Sequence, residues 1–427
     1  PSFIVEGGRT LRGTIRPAGN KNAALPAIAA TLLTPQEVIL QNVPRIRDVE
    51  TLLELLTSLG DHVEWRGDNE LSIRASDLGG GRPDPDLAEK IRASILLAGP
   101  LLARLGSVEL GPPGGDVIGR RRLDTHFLAL EGLGAVRKPG AGFSMETRGL
   151  KGANLFLDEP SVTGTENAVM AAATARGTTV IRNAAAEPHV QDLCNLLNQM
   201  GARISGIGTH ILVIEGVSEL HGTTFKLSPD HIETGSFMGL AAVTGSEITI
   251  EEAPMEHLDS TLLGFERLGV ECTIRDRDLV VHGDRPLEIH QDAFGHVPKI
   301  DDGPWPAFPA DLTSIALVTA TQCRGTVLIH EKMFESRMYF ADKVIAMGGR
   351  VILCDPHRAV VVGPSHLRGS TVESPDIRAG MALLIAALAA DGTSRIHNIG
   401  QIERGYERID ERLRALGANI ERVEARS

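Results

Sequence analysis

Six times along this 427-residue chain, a helical pattern of apolar positions ends on a leucine or methionine followed at once by glycine. The pairs are Leu59-Gly60, Leu133-Gly134, Met200-Gly201, Leu268-Gly269, Met347-Gly348 and Leu416-Gly417, spaced about seventy residues apart. A glycine just past a helix suits the C′ position, where a left-handed backbone is usual. About 25 residues upstream of five of the pairs stands a glycine followed by a β-branched or small run, as in Gly177-Thr178-Thr179-Val180-Ile181 and Gly325-Thr326-Val327-Leu328-Ile329. Pro35 to Leu40 takes that place in the first unit. After each pair come short alternating stretches, such as His210-Ile211-Leu212-Val213-Ile214-Glu215, whose period of two marks half-buried strands. The pattern predicts an α/β protein made of six β-α-β-α-β-β repeats.

Six units in a chain of this length imply two similar domains of three repeats each. Turn-rich crossings are expected near Pro17-Ala18-Gly19 and Leu227-Ser228-Pro229-Asp230. The predicted division is 1–20 plus 230–427 for the first domain and 21–229 for the second. A cleft between two such domains is the expected ligand site.

Hydrophobic residues are 42 % of the chain and aromatics only 4 %, which suits aliphatic cores. The greasiest stretch, Ala382 to Ala390, stops at Asp391, short of the roughly 20 residues a membrane span needs. The first residues, Pro1-Ser2-Phe3-Ile4-Val5-Glu6, read as a strand rather than a signal peptide, as if an initiator methionine had been removed. A cytoplasmic location is expected. A net charge of −12 argues against nucleic-acid or membrane-surface partners, so an anionic ligand must be held by local arginines. The cysteines (Cys194, Cys272, Cys323, Cys354) are scattered, as expected of free thiols in a reducing compartment, and the histidines show no zinc-like spacing.

The stretch from Pro112 to His126 concentrates chemistry. Gly114, Gly115 and Asp116 precede Arg120, Arg121 and Arg122. Glycines let such a loop bend, and guanidinium forks fit phosphate and carboxylate oxygens. This loop is read either as a solvated turn or as a lid bearing an acid beside fixed cations. Lys21 opens a helical pattern, where a cation opposes the helix dipole, so a binding role is favoured over a structural one. Asp311 stands just before a helical pattern, after the proline-rich run from Pro304 to Pro309, and N-capping is its simplest reading.

Several longer motifs resemble the UDP-N-acetylglucosamine 1-carboxyvinyltransferases, a family of enolpyruvyl transferases that open peptidoglycan synthesis. They are Gly19-Asn20-Lys21-Asn22-Ala23-Ala24-Leu25-Pro26, Arg92-Ala93-Ser94, Pro113-Gly114-Gly115, Asn183-Ala184-Ala185-Ala186-Glu187-Pro188, Asp230-His231-Ile232-Glu233-Thr234-Gly235, Phe308-Pro309-Ala310-Asp311, Phe334-Glu335-Ser336-Arg337 and Arg404-Gly405-Tyr406-Glu407-Arg408. The resemblance runs from residue 3 to about 423. It implies two inside-out α/β domains, the enolpyruvyl transferase fold, and a reaction between phosphoenolpyruvate and UDP-N-acetylglucosamine with no cofactor or metal. A monomer or weak homo-oligomer is expected. By the same resemblance Lys21, Arg92, Arg121 and Arg404 meet phosphoenolpyruvate, Asn22 meets the amino sugar, and Asp311 is the base for the 3-hydroxyl. The run Arg121-Arg122-Leu123-Asp124-Thr125-His126 would serve the nucleotide, while Met333, Arg337 and Arg378 would complete the substrate contacts. Arg337 and Arg378 can also form structural ion pairs, the first with Glu335, the second with Asp376 or Glu373.

The departures are informative. Asp116 stands where most relatives carry a cysteine, and a carboxyl can act as a general acid but not as a thiolate nucleophile. Its ordinary pKa of about 3.9 must rise for that task near neutrality. Glu159-Pro160-Ser161 replaces a familiar lysine, and the nucleotide run differs from the usual Arg-Pro-Val-Asp-Leu-His. Rival readings are an enolpyruvyl transferase for another acceptor, such as a nucleotide or shikimate 3-phosphate, and a non-catalytic UDP-sugar-binding regulatory paralogue.

Overall fold

The computed structural model describes residues 1–115, 122–140 and 142–424. The chain divides into two compact units, at Ala18/Gly19 and at Ser228/Pro229. One unit joins Pro1–Ala18 to the chain from Pro229 onward, and the other is built on the chain between Gly19 and Ser228.

Each unit holds three sheets, and the helices that these sheets surround are buried on nearly every side. In the unit containing both ends of the chain, every residue of the helices His231–Val243 and Thr313–Ala320 is buried, as is Ile377–Ala389 up to Leu388. Each of the three packs on the other two. In the other unit the helices Lys21–Ala30 and Val162–Ala172 both pack on the Arg92–Leu97 turn that runs into Ala98–Leu105. A helix without a polar face is stable in water only when covered on all sides. The second helix of each repeat is different. Arg47–Leu59, for example, buries Asp48, Val49, Leu52, Leu53, Leu55, Leu56 and Leu59, the one-sided spacing of a covering helix. This is the inside-out arrangement, with helices at the centre and sheets around them.

The repeat is clearest in strand pairing. The strand before a buried helix lies parallel to the strand after it: Lys299–Asp301 with Gly325–His330, Thr371–Glu373 with Thr393–His397, and Asn154–Phe156 with Thr178–Arg182. For two helices that first strand comes from elsewhere in the chain. Gly13–Ile15 pairs with Glu247–Ile250, and Thr224–Lys226 with Val38–Gln41. The N-terminal strand Ser2–Glu6 completes the last repeat between Thr393–His397 and Asn419–Val423. The repeat spanning Arg92 to Glu146 departs from the predicted pattern. Among the described residues its sheet has three strands rather than four, because the short helix Pro85–Ala88 precedes it in place of a parallel strand.

All six glycines of the Leu-Gly and Met-Gly pairs have left-handed backbones, with φ between 84° and 105°. An L-residue there costs roughly 1–2 kcal/mol. Alanine at Gly417 adds only this backbone cost, since a Cβ there meets open space, whereas at Gly269 it would lie 2.3 Å from the Glu288 carbonyl oxygen. Gly417→Ala should therefore lower the melting temperature by a few degrees and Gly269→Ala by clearly more. Equal losses would contradict this reading of the turns.

Candidate active site

In the unit containing both termini, the three buried helices begin in one charged cluster. Asp230 caps His231–Val243, accepting from the Ile232 and Glu233 N–H groups at 2.8 and 3.1 Å. Asp376 caps Ile377–Ala389 in the same way, through the Arg378 and Ala379 N–H groups at 2.8 and 2.9 Å. Asp311 lies in the turn Ala310–Leu312 that enters Thr313–Ala320. The N-cap of that helix is Leu312, not Asp311. The Asp311 carboxylate instead takes Arg337 Nη2 at 3.0 Å and Arg378 Nε at 3.4 Å. Both guanidinium groups are buried, so the carboxylate is held by cations that water barely reaches.

These pairs differ from the structural alternatives. Arg337 turns to Asp311 and Glu331 rather than to Glu335, and the side chain of Arg378 goes to Asp311 while its backbone N–H goes to Asp376. Arg378 also sits 5.3 Å over the ring of Tyr406, whose hydroxyl is 2.8 Å from Ser236 Oγ. Burial opposes the Arg378 charge, but Tyr406, Asp311 and Asp230 outweigh it and fix the cation. His231 is neutral, pushed down to about 3 by burial, with His257 adding to the shift and Asp311 opposing it. Arg404 is half-buried and donates to Gln401 Oε1 at 2.9 Å. Met333 is 38 % exposed, and its N–H donates to Glu331 Oε1 at 3.2 Å.

The other unit has its own set. Asn20 caps Lys21–Ala30, accepting from the Asn22 N–H at 2.9 Å and the Ala23 N–H at 3.3 Å. Lys21 Nζ meets Asp48 Oδ2 at 3.0 Å, with both side chains buried. Asp48 thus offsets the cation that sequence alone placed against the helix dipole. The side chain of Asn22 is half-buried beside it in sequence.

Arg92 donates to the Arg122 carbonyl at 3.3 Å. Arg122 in turn holds Asp124 at 2.9 Å and Asp158 at 3.6 Å, and Thr125 Oγ1 donates to Asp158 at 2.7 Å. Leu123 forms the N-cap of helix Asp124–Gly132, its carbonyl accepting from the His126 and Phe127 N–H groups. His126 is fully buried. The Asn167 amide is oriented by accepting from the Gly99 N–H at 2.8 Å and donating to the Ile95 carbonyl at 2.8 Å. Its Nδ2 therefore also donates to His126 Nδ1 at 2.9 Å, which leaves the ring proton on Nε2, directed at Thr163 Oγ1 3.1 Å away. Burial, with Arg92 adding to it, pushes the pKa of this imidazole down to about 3. His126 is accordingly a neutral imidazole held between Asn167 and Thr163. Ser161, in the segment replacing the familiar lysine, caps helix Val162–Ala172 through the Gly164 N–H at 3.1 Å. Asp116 and Arg121 lie outside the described residues.

Residues 5–413 match the EPSP synthase (3-phosphoshikimate 1-carboxyvinyltransferase) family. The chain is 61 % identical over 426 residues to the UDP-N-acetylglucosamine 1-carboxyvinyltransferase of Bradyrhizobium diazoefficiens, covering 99 % of this chain and 98 % of the relative. This chain belongs to the UDP-N-acetylglucosamine 1-carboxyvinyltransferase family. The Treponema denticola member is 54 % identical, with 98 % of each chain covered. The enolpyruvyl transferase NikO from Streptomyces tendae shares the fold, with a TM-score of 0.86 at 24 % identity and 98 % of both chains covered.

Within this family member, the motifs legible in sequence mark the ends of buried helices, and partners distant in sequence complete them. Asp48, Asp158, Asn167 and Glu331 carried no local signal. Tyr406 did, being one of only two tyrosines and lying inside a quoted motif. Among the described residues, Glu247, His282 and Asp284 also approach one another closely enough to hold a metal ion, although Glu247 and Thr273 already bond the two ring nitrogens of His282. No described helix is long and apolar enough to cross a membrane.

His126 and His231 are held below the ordinary histidine value of 6.5. Between about pH 3 and 6.5 the unfolded chain binds the additional protons, so stability present above that range is lost as pH falls. Replacing His126 by Gln should shrink the drop in melting temperature between pH 7 and pH 5. An unchanged drop would show that His126 titrates normally in the folded protein.

Proposed function

We propose that this protein transfers the enolpyruvyl group of phosphoenolpyruvate to the 3-hydroxyl of UDP-N-acetylglucosamine and releases phosphate, the reaction that opens peptidoglycan synthesis. The observation that carries the reading is full-length identity of 61 % to a relative named for it. Asp311, a carboxylate fixed by two arginines, supports it chemically.

Asp311 takes the hydroxyl proton as the sugar oxygen bonds to C2 of phosphoenolpyruvate. Asp116 gives a proton to C3, turning the methylene into a methyl group. The tetrahedral adduct then loses phosphate together with one methyl proton, restoring the double bond in the product. Lys21, Arg92, Arg121 and Arg404 hold the phosphate and carboxylate charges through these steps, the kind of fixed electrostatic stabilisation that is usually the largest catalytic contribution. Arg337 and Arg378 orient Asp311 and then meet the incoming anion. Asn22 and Met333 contact the amino-sugar substrate. Arg122, Leu123, Asp124 and Thr125 carry the nucleotide, with the N-terminus of helix Asp124–Gly132 facing its phosphates and His126 bracing the run from beneath.

Phosphate release should require phosphoenolpyruvate and UDP-N-acetylglucosamine together. Release with shikimate 3-phosphate or a nucleotide but not with the amino sugar would reassign the acceptor. Asp311→Asn should lower kcat by roughly 10²–10⁴-fold, the usual contribution of a general base, while the fold is retained. Wild-type turnover in that variant would remove Asp311 from the chemistry.

Fosfomycin, an epoxide that alkylates the family's loop cysteine, should leave this protein active, whereas Asp116→Cys should keep activity and become sensitive. Rapid inactivation of the unsubstituted chain would overturn the role given to Asp116.

A further inference from the structure

Behind Arg337 lies a second pair of acids. Asp302 follows the strand Lys299–Asp301, and Glu331 follows Gly325–His330. The parallel register sets Asp301 against His330, so the next residue of each strand brings the two carboxyl groups side by side. They are almost fully enclosed, Glu331 at 0 % and Asp302 at 1 % exposure. One oxygen of each is anchored to backbone. Glu331 Oε1 accepts from the Met333 and Phe334 N–H groups at 3.2 Å, and Asp302 Oδ1 accepts from the Lys332 N–H at 2.5 Å. The other two, Glu331 Oε2 and Asp302 Oδ2, accept no well-formed hydrogen bond among the described residues, although the Thr313 hydroxyl approaches Glu331. Glu331 Oε2 is 3.7 Å from Arg337 Nε, while Nη2 of the same guanidinium holds Asp311 Oδ1 at 3.0 Å.

We propose that Asp302 and Glu331 hold a single proton between them and, as a monoanionic pair, position Arg337 against Asp311. The inference rests on Asp311 acting as the base. Two carboxylates have no hydrogen to share, whereas one proton gives each leftover oxygen a partner. Charge balance points the same way. Asp230, Asp311, Asp376 and the singly charged pair already face the two cations Arg337 and Arg378, so full ionisation would add a fifth negative charge away from water. Burial pushes Glu331 up to about 9, Asp302 adds to the shift, and Arg337 and the Thr313 hydroxyl oppose it. The neighbouring His357 bonds the Glu331 backbone carbonyl, and Lys332 pairs with Asp301, so neither side chain reaches the two leftover oxygens. While the pair keeps its proton, Arg337 leans on Asp311. When the proton leaves, the doubly charged pair draws Arg337 away and the base loses its support. Asp302 and Glu331 are positioning residues, since neither touches a substrate.

The test is the pH profile of kcat for the full-length protein with phosphoenolpyruvate and UDP-N-acetylglucosamine. Turnover by the unsubstituted chain at pH 7.5 checks the underlying function, so its absence would count against that reading alone. The wild-type profile should fall on an alkaline limb near pH 9. Glu331→Gln keeps one negative charge on Asp302, so kcat at pH 7.5 should stay within about threefold while the alkaline limb moves up by at least about one pH unit. Asp302→Asn keeps the same charge on Glu331 and serves if the first variant does not fold. A merely structural pair would lower kcat equally at every pH and leave the limb in place, which would overturn the proposal. A second readout needs no turnover. Native Glu331 keeps a proton that the unfolded chain releases, so between about pH 4.5 and 9 stability falls as pH rises. Glu331→Gln should flatten that slope, and an identical slope in both proteins would refute the shared proton.

Discussion

A helix that is apolar on every side must be covered on every side, and this constraint organises both units. His231–Val243, Thr313–Ala320 and Ile377–Ala389 cannot lie on a surface, so sheets and one-sided helices are packed around them. Truncating a leucine in such a centre typically costs about 2–5 kcal/mol, which leaves little freedom in how the three helices meet. Their flanks are taken up by packing, and the ionisable groups gather towards their ends. At the N-terminal ends lie Asp230, Asp311, Asp376 and Arg378, drawn into one cluster because the helices that carry them are packed together.

The position of these ends also explains the sign of the chemistry. Helix N-termini favour carboxylates, and the caps Asp230 and Asp376 satisfy them directly. Asp311 is different. It belongs to the same ring of acids, but its carboxylate faces Arg337 and Arg378. A carboxylate held between buried cations can serve as the proposed base once an arriving anion shares those cations. Breaking such a buried pair from one side is costly, commonly 3–5 kcal/mol, so the arginines need counter-charges of their own. Glu331 beside Arg337 and Asp230 near Arg378 supply them, and the ring of Tyr406 adds a cation–π contact to Arg378.

Much of this was legible in the sequence. The period of the Leu-Gly and Met-Gly pairs exposes the repeat because each glycine must adopt a left-handed turn, a local requirement that leaves a local mark. Strand Ser2–Glu6 was visible from its alternation, but its place in the last repeat was not, since strand pairing depends on residues hundreds of positions away. Lys21 was flagged by its conflict with the helix dipole, while Asp48, which resolves that conflict, sits inside an ordinary amphipathic helix and looks like any first-turn acid. His126 illustrates the opposite case. A family motif suggested a ligand contact, and the fold shows a neutral imidazole braced by Asn167 and Thr163. The Asp302–Glu331 pair left no trace either, because only the parallel register of two strands brings those acids together.

The central claim is that an acid protonates C3 of phosphoenolpyruvate while a base removes the acceptor proton, so that a methyl group exists before phosphate leaves. Turnover in deuterium oxide followed by mass analysis of the product tests this most directly. Addition and elimination through a methyl intermediate should place solvent deuterium in the vinyl methylene of the enolpyruvyl product. A product whose methylene carries only the original hydrogens would contradict the mechanism and the roles assigned to Asp116 and Asp311.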